Sequence, residues 1–382
     1  MKKFWALIAI IVLVLTTWTV HYMQFAQAKH DEPIATFKAL TGEQDILHSV
    51  VLDGSFDNMW SYSPFSIQDG AIYPVATSVF TRDNSALFQY LEEKYKGFMR
   101  GKTLSASQFY EQQDSLLYVE SFTNHGDTET ELRIEQLHDG EAHAFSVNVP
   151  LDNRASWTTT QRLTVQNDTL HVLISVMYAD SVERLYGVKI DLRTEAVTSA
   201  TVLAEALETE KTSGFIQVLN NTSAMQHEDY FVYMTGEYYH NDMDMTPNTN
   251  EEIHVWNTLT NTQASFTLPE TLVRESRSLM VQNNQLLALR IEKGNIVMER
   301  YNLDTQQWLK PITVDNNGAI NNLSYFSVNT TAQDVYVAAY TEKGPMLTVL
   351  NGETGETLYI GIAQGDEAER LLLSLYSVFE TK

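Results

Sequence analysis

The chain has 382 residues, of which 43% are hydrophobic and 19% charged, so it is too long and too apolar to be a disordered tail. Only 17 glycines and 8 prolines occur, which excludes collagen-like and low-complexity architectures. Lys and Arg number 25 against 49 Asp and Glu, a net charge of −24, and there is no cysteine. A body of that sign repels phosphate backbones, which excludes nucleic acid as a partner class. The missing thiols exclude disulfides, thiolate metal sites, a cysteine nucleophile and a lipid-modified cysteine.

The amino terminus carries the address. Lys2 and Lys3 precede an uncharged run from Phe4 to Val20 whose only polar members are threonines. As a helix this run spans ~26 Å, and residues to Tyr22 extend it into the interface, predicting a transmembrane helix over about 4–22. Residues 1–28 therefore read as a signal anchor or a signal peptide. Trp18 and Tyr22 sit where an interfacial aromatic belt would, and the run exceeds an ordinary signal-peptide core, which favours the anchor. Ala26-Gln27-Ala28 is a small-residue cleavage pattern, and secretion after Ala28 is the alternative. Both readings keep the lysines inside and put residues 29–382 outside the cytoplasm, in the first case as the bulk of a single-pass cell-membrane protein.

From residue 30 onward, apolar residues alternate or form short β-branched and aromatic runs between polar turns, the pattern of strands. One segment departs from it. Residues 84–100 place Leu87, Leu91, Tyr95 and Phe98 on one helical face, with Asn84 or Ser85 to begin a helix and Gly97 or Gly101 to end it. Lys94, Lys96, Arg100 and Lys102 make this the densest basic cluster in an acidic body, a candidate docking element for the membrane surface or an acidic partner.

Two kinds of hairpin recur. In one, a polar turn leads into a more apolar strand, as at Gln68-Asp69-Gly70, Gln112-Gln113-Asp114, Gln166-Asn167-Asp168, Gln282-Asn283-Asn284 and Asn329 to Asp334, with a looser copy between Phe215 and Met234. In the other, a leading polar residue opens a turn that closes on Thr: Asp191 to Thr194, Asn257 to Thr260, Asn302 to Thr305 and Asn351 to Thr354, with a weaker relative at Gln136 to Gly140. Asp and Asn suit such corners because their side chains accept hydrogen bonds from the backbone two residues on. The leading residues are separated by 55, 66, 45 and 49 positions. Two alternating hairpins per period make a repeated four-stranded antiparallel unit.

Segments such as VKIDLRTEAVTSATVL, EIHVWNTLTNTQASFTL, VMERYNLDTQQWLKPITV and LTVLNGETGETLYIGI resemble the outer strand pairs of β-propeller blades. The resemblance is to the fold, covers roughly residues 60–363, and lacks the marks of WD40, kelch and quinoprotein blades, so no family's functional residues carry over. It implies an all-β propeller of about seven four-stranded blades, alternatively six, behind one hydrophobic helix. A large β-sandwich or two stacked β domains is the rival architecture.

A second departure is Tyr238, Tyr239, His240, Asp242 and Asp244, read as a loop projecting beyond a strand that ends near Tyr233. It is a candidate ligand-binding element, and alternating Asp242 and Asp244 make it a weak candidate for a divalent cation. His138 and His143 flank a hairpin turn and read as surface residues rather than metal ligands. No G-x-S-x-G elbow, phosphate loop, H-E-x-x-H or dinucleotide fingerprint occurs. The expectation is a membrane-tethered, non-catalytic platform or sensor for a protein or envelope component. The alternative is an extracytoplasmic polysaccharide hydrolase or lyase, whose chemistry needs only two carboxyl groups at a set separation.

Overall fold

A computed structural model describes residues 12–14, 16–19, 33–58, 61–75, 86–103, 105–112, 115–220, 225, 227–240, 245–247, 251–273, 277–293, 295–314, 326–365 and 373–380. Residues 12–14 and 16–19 are helical and exposed, with Thr16 and Thr17 donating to the carbonyls of Val12 and Leu13. The rest of the expected helix lies outside the described residues, and no helix among them is long and apolar enough to cross a membrane.

The remainder is almost entirely antiparallel sheet. It begins with β1 (Ala35–Gly42), β2 (Val50–Asn58), β3 (Ser61–Gln68) and β4 (Ala71–Pro74), and then helix α1 (Ala86–Lys94). Four strands follow as one sheet: β5 (Phe109–Gln112), β6 (Ser115–Phe122), β7 (Glu129–His138) and β8 (Glu141–Pro150). The next sheet contains β9 (Ala155–Gln166), β10 (Thr169–Tyr178), β11 (Glu183–Asp191) and β12 (Ala196–Ala206). Another contains β13 (Thr212–Val218), β14 (Tyr230–His240), β15 (Met245–Pro247), β16 (Glu252–Asn257) and β17 (Thr262–Thr267), and is followed by the short helix α2 (Glu270–Val273). A fourth holds β18 (Arg277–Gln282), β19 (Gln285–Glu292), β20 (Asn295–Asn302), β21 (Gln307–Trp308) and β22 (Ile312–Val314). The chain closes with β23 (Phe326–Thr330), β24 (Asp334–Thr341), β25 (Gly344–Asn351), β26 (Thr357–Gln364) and β27 (Leu373–Glu380).

These last strands join the first four in a nine-stranded sheet of order β23-β24-β25-β26-β1-β4-β3-β2-β27. It contains two meanders, β23 to β26 and β27-β2-β3-β4, with β1 paired to the outer strand of each. The described strands thus group largely into four-stranded antiparallel units, with β1, β15 and β22 additional to that pattern. Strand β27, from the far end of the chain, is the first strand of the unit whose other strands are β2 to β4. The hairpin at Asp69-Gly70 is therefore the outer pair of its unit, not an inner pair as its local sequence predicts.

Buried clusters give the order of the units. One cluster fills the space between β5–β8 and β9–β12, including Leu132, Val149, Val172 and Val188. Others join β9–β12 to β13–β17 through Leu173, Phe231 and Trp256, and β13–β17 to β18–β22 through Val232, Ile253 and Leu286. The next links β18–β22 to β23–β26 through Leu289, Met298 and Val337, and a further one links β23–β26 to β27-β2-β3-β4 through Tyr336, Leu347, Leu52 and Leu375. The last brings Val51 of β2 together with Phe109, Leu116 and Tyr118 through α1. Each sheet buries both faces against its neighbours and the sequence of contacts returns to its start, a propeller-like all-β ring.

The expected helical face is real: Leu87, Leu91, Tyr95 and Phe98 are all buried in that last interface. Regular helix ends at Lys94, and turns carry the chain on to residue 101.

The repeated turns explain why so varied a sequence folds alike. Asp191, Asn257, Asn302 and Asn351 each accept a hydrogen bond from the backbone amide three residues on, at 2.9, 2.9, 2.7 and 2.8 Å. The residue four places after each leader (Glu195, Asn261, Gln306, Gly355) is left-handed, with φ of 54°, 58°, 55° and 71°. The residue just after each leader, in turn, donates its amide to the inner turn of the same unit: Leu192 to Asp168, Thr258 to Asp229, Leu303 to Asn284 and Gly352 to Gln333. Inner and outer turns therefore lie on one face of the ring, called the turn face below. A Cβ at Gly352 would meet the end of the Gln282 side chain of the neighbouring unit, which would have to shift to admit it.

Candidate functional site: a polar cleft on the turn face

The connection from β13 to β14 is longer than the other inner turns, and its described residues touch four other parts of the ring. Asn220 bridges to Val281 of β18, and the Val281 amide donates to the Leu219 carbonyl. Met225 is buried in the cluster around α1, and its carbonyl accepts from Glu111 at the end of β5. His227, Glu228 and Asp229 then return along β9. This connection therefore reaches from the third of the five sheets to the interface that α1 fills.

Polar side chains of β9 hold it there. Arg162 is fully buried and donates from Nε to Glu228 Oε2 at 2.9 Å. The Glu228 amide donates to Thr164 Oγ1 at 3.1 Å. Gln166 donates to Asp229 Oδ1 at 2.8 Å, and His227 Nε2 lies 3.0 Å from the same oxygen. Asn284, from the next unit, donates to the other Asp229 oxygen at 3.3 Å.

Beside this bundle is an open cleft of about 320 Å³, lined by His227 to Tyr230, by Val281 to Asn284 and by Thr330 to Ala332. It joins the inner turns of three consecutive units and offers amide, hydroxyl, imidazole and carboxylate groups. A second cleft of about 250 Å³ lies between outer turns, and Tyr230 lines both. Asn257, Asp304, Phe266 and Tyr301 are among its other walls. The Tyr230 hydroxyl donates to Asp304 at 2.6 Å. Burial first, and then the negative charges of Asp304 and Asp229, push this phenol up to about 12.

His171 lies under the same edge. It is 3% exposed, cross-strand from Thr164 and Lys189, with its ring 5.9 Å from that of Trp256. Burial, followed by the positive charges of Lys189 and His227, lowers its pKa to about 4. The unfolded chain, whose histidine titrates near ~6.5, takes up the proton first as pH falls. Stability from this group is complete above that value and is lost as pH drops toward 4, amounting to about 2 kcal/mol by pH ~5. Urea midpoints of His171→Leu are expected to fall less between neutral pH and pH ~5 than those of the parent chain, and equal pH slopes would refute the assignment.

The candidates taken from sequence fare differently. Tyr238, Tyr239 and His240 are not loop residues: β14 continues through them and pairs with Pro247, Thr246 and Met245 of β15. The alternating aromatics satisfy strand geometry, and the Tyr238 ring packs 4.8 Å from that of Phe215. Because β14 starts on the turn face, this extension lies at the opposite face, away from the cleft. Asp242 and Asp244 lie outside the described residues. Among the described residues, no group of three or more His, Asp and Glu is placed to hold a metal.

The basic cluster is divided. Lys94 bonds Glu111 at 2.9 Å, and Lys102, almost wholly buried, bonds Glu135 at 2.6 Å beneath the Phe98 ring. Partial burial alone would lower the pKa of Lys94, but hydrogen bonds from its ammonium to Glu111, Tyr90 and Tyr95 outweigh it and raise the value. Lys94 ties the end of α1, and Lys102 the turns after it, to the β5–β8 sheet, leaving Lys96 and Arg100 exposed. His138 and His143 stand on opposite arms of the β7–β8 hairpin, as expected.

The cleft residues themselves were missed. Their one sequence signal is that the inner turn between Phe215 and Met234 is the irregular copy, and it carries His227, Glu228 and Asp229 in a row.

No protein-family model and no curated protein matches the chain. Among solved structures, it is similar to the polysaccharide lyase Uly1, at 7% identity and a TM-score of 0.39 over 64% of this chain and 57% of that one. It is similar to a prolyl endopeptidase at 10% identity and a TM-score of 0.38, over 85% of this chain and 50% of that one. A Mycobacterium tuberculosis puromycin-hydrolysing peptidase matches at 8% identity and a TM-score of 0.37, over 89% and 56%. The chain spans about half the length of these solved structures.

Proposed function

We propose that the protein is a membrane-tethered, extracytoplasmic binding platform, a six-bladed propeller whose turn face receives a protein or envelope component without catalysing a reaction. The observation that carries this reading is the state of the cleft's carboxylates. Hydrolysis of a glycosidic bond needs two carboxyl groups free to face the substrate. Here Glu228 is held by buried Arg162 and Asp229 by Gln166, His227 and Asn284, an arrangement suited to fixing a hydrogen-bonding surface.

The tether rests on the apolar run from Phe4 to Val20, and its placement follows from strand direction. Strand β1 is antiparallel to β26, and Thr36 pairs with Gln364 at the end of β26 away from the turn face. The described chain therefore begins at the face opposite the cleft, which supports a reading in which a tethered chain presents its cleft away from the bilayer.

The test is mild detergent extraction of the tagged full-length chain, with mass spectrometry of co-purifying proteins and of the chain's own amino terminus. A reproducible partner, lost when Asn283 and Asn284 are both replaced by alanine, with residues 1–28 retained, is the expected result. A chain beginning at Lys29 and without a partner would overturn the tethered platform.

A further inference from the structure

We propose that the two clefts meeting at Tyr230 form one groove for a basic peptide segment, with Asp229 and Asp304 receiving lysine or arginine side chains. This rests on the platform reading above and names the chemistry of its partner.

Three observations converge. The first is uncompensated charge. Glu228 is neutralised by Arg162, whereas Asp229 is bonded by the amides of Gln166 and Asn284 and by His227, and Asp304 by the Tyr230 phenol. Among the described residues, no lysine or arginine lines either cleft. A carboxylate bonded by amides, an imidazole or a phenol, with no lysine or arginine among these partners, leaves room for a cationic ligand.

The second is the aromatic content. Tyr230, Phe266 and Tyr301 line the outer cleft alongside Asp304, and the Phe266 and Tyr301 rings stack 4.0 Å apart. Aromatic faces beside a carboxylate favour ammonium and guanidinium groups through the ring quadrupole, whereas a neutral sugar would use the rings without needing the charges.

The third is spacing by fold. Asp229 closes the inner turn of one unit and Asp304 belongs to the outer turn of the next, with Tyr230 between them and bonded to Asp304. The two carboxylates occupy separate cavities of about 320 and 250 Å³, so they are placed for two side chains of one extended segment rather than for one ion.

The experiment is isothermal titration of the tagged full-length chain in detergent, near physiological salt, with a short peptide alternating lysine and serine. Its counterparts carry glutamine or glutamate in place of lysine. Because the whole body is acidic, the decisive comparison is between two charge-matched double variants. Asp229→Asn with Asp304→Asn removes the groove charges, and Asp180→Asn with Glu210→Gln removes two exposed charges elsewhere. The lysine peptide is expected to bind, the others not, and affinity to fall about tenfold or more only in the groove variant. Equal losses in both variants, binding of the glutamine peptide, or no binding at all would overturn the proposal. A urea midpoint of the groove variant equal to that of the Asp180→Asn, Glu210→Gln variant guards against misfolding as the cause of lost binding. A captured partner that depends on Asn283 and Asn284 but not on Asp229 and Asp304 would leave the platform standing and remove its basic ligand.

Discussion

A chain ending after residue 372 is expected to lose its cooperative unfolding transition. Strand β27 is the first strand of a unit whose other three come from the opposite end of the sequence, with Val50 to Phe56 paired along it. Its Leu373, Leu375 and Val378 are buried in the cluster shared by the units on either side of the closure. At about 1.5–3 kcal/mol for each large apolar side chain, the loss is about 5–9 kcal/mol. That approaches the entire stability of an ordinary domain, about 5–15 kcal/mol, and it also exposes the edge of β2 to aggregation. Circular dichroism during urea titration reads the effect. The milder Leu375→Ala is expected to lower stability by about 2–5 kcal/mol while keeping one transition. A truncated chain that unfolds at the parent midpoint would show that the ring is not closed by this strand.

Replacing Arg162 with alanine is expected to cost about 3–5 kcal/mol, the range for removing one partner of a buried ion pair. The guanidinium is wholly buried on the innermost strand of its unit, and its loss leaves Glu228 charged where its side chain is 14% exposed. The effect should extend to the cleft, because Glu228 sits between His227 and Asp229. Arg162→Met with Glu228→Leu is expected to regain much of the stability, since two apolar groups replace a pair that was costly to desolvate, but not the function of the cleft. If Arg162→Ala matches the parent in a denaturant titration, the pair does not secure the connection between β13 and β14.

Much of this fold is visible in the chain because its determinants are local. Asp191, Asn257, Asn302 and Asn351 each build their own turn, so a one-residue signal repeated at irregular intervals marks the outer hairpins. The helical face of Leu87, Leu91, Tyr95 and Phe98 is legible for the same reason. The closing unit is not, because β27 joins β2 across more than 300 residues and a periodic pattern contains no pairing information. That is why the Asp69-Gly70 hairpin reads as an inner pair. The extension of β14 was obscured by the polar residues beyond Tyr239, which resemble a loop although the aromatics before them suit a strand. The cleft is the least legible feature. It gathers inner turns of three units that lie about fifty residues apart, and none of those turns carries a motif on its own. The basic residues between 94 and 102 show the converse: they cluster in sequence, but Lys94 and Lys102 are bonded to Glu111 and Glu135.

The central claim, that the turn face is the binding face, is tested most directly by site-specific photo-crosslinking of the full-length chain in cells. A photoreactive residue at Gln333, an exposed position beside the cleft, should yield a discrete adduct with another protein or envelope component. The same residue at Asp180, in the β10–β11 turn on the opposite face, should not. Adducts at Asp180 alone, or none at Gln333, would contradict the account.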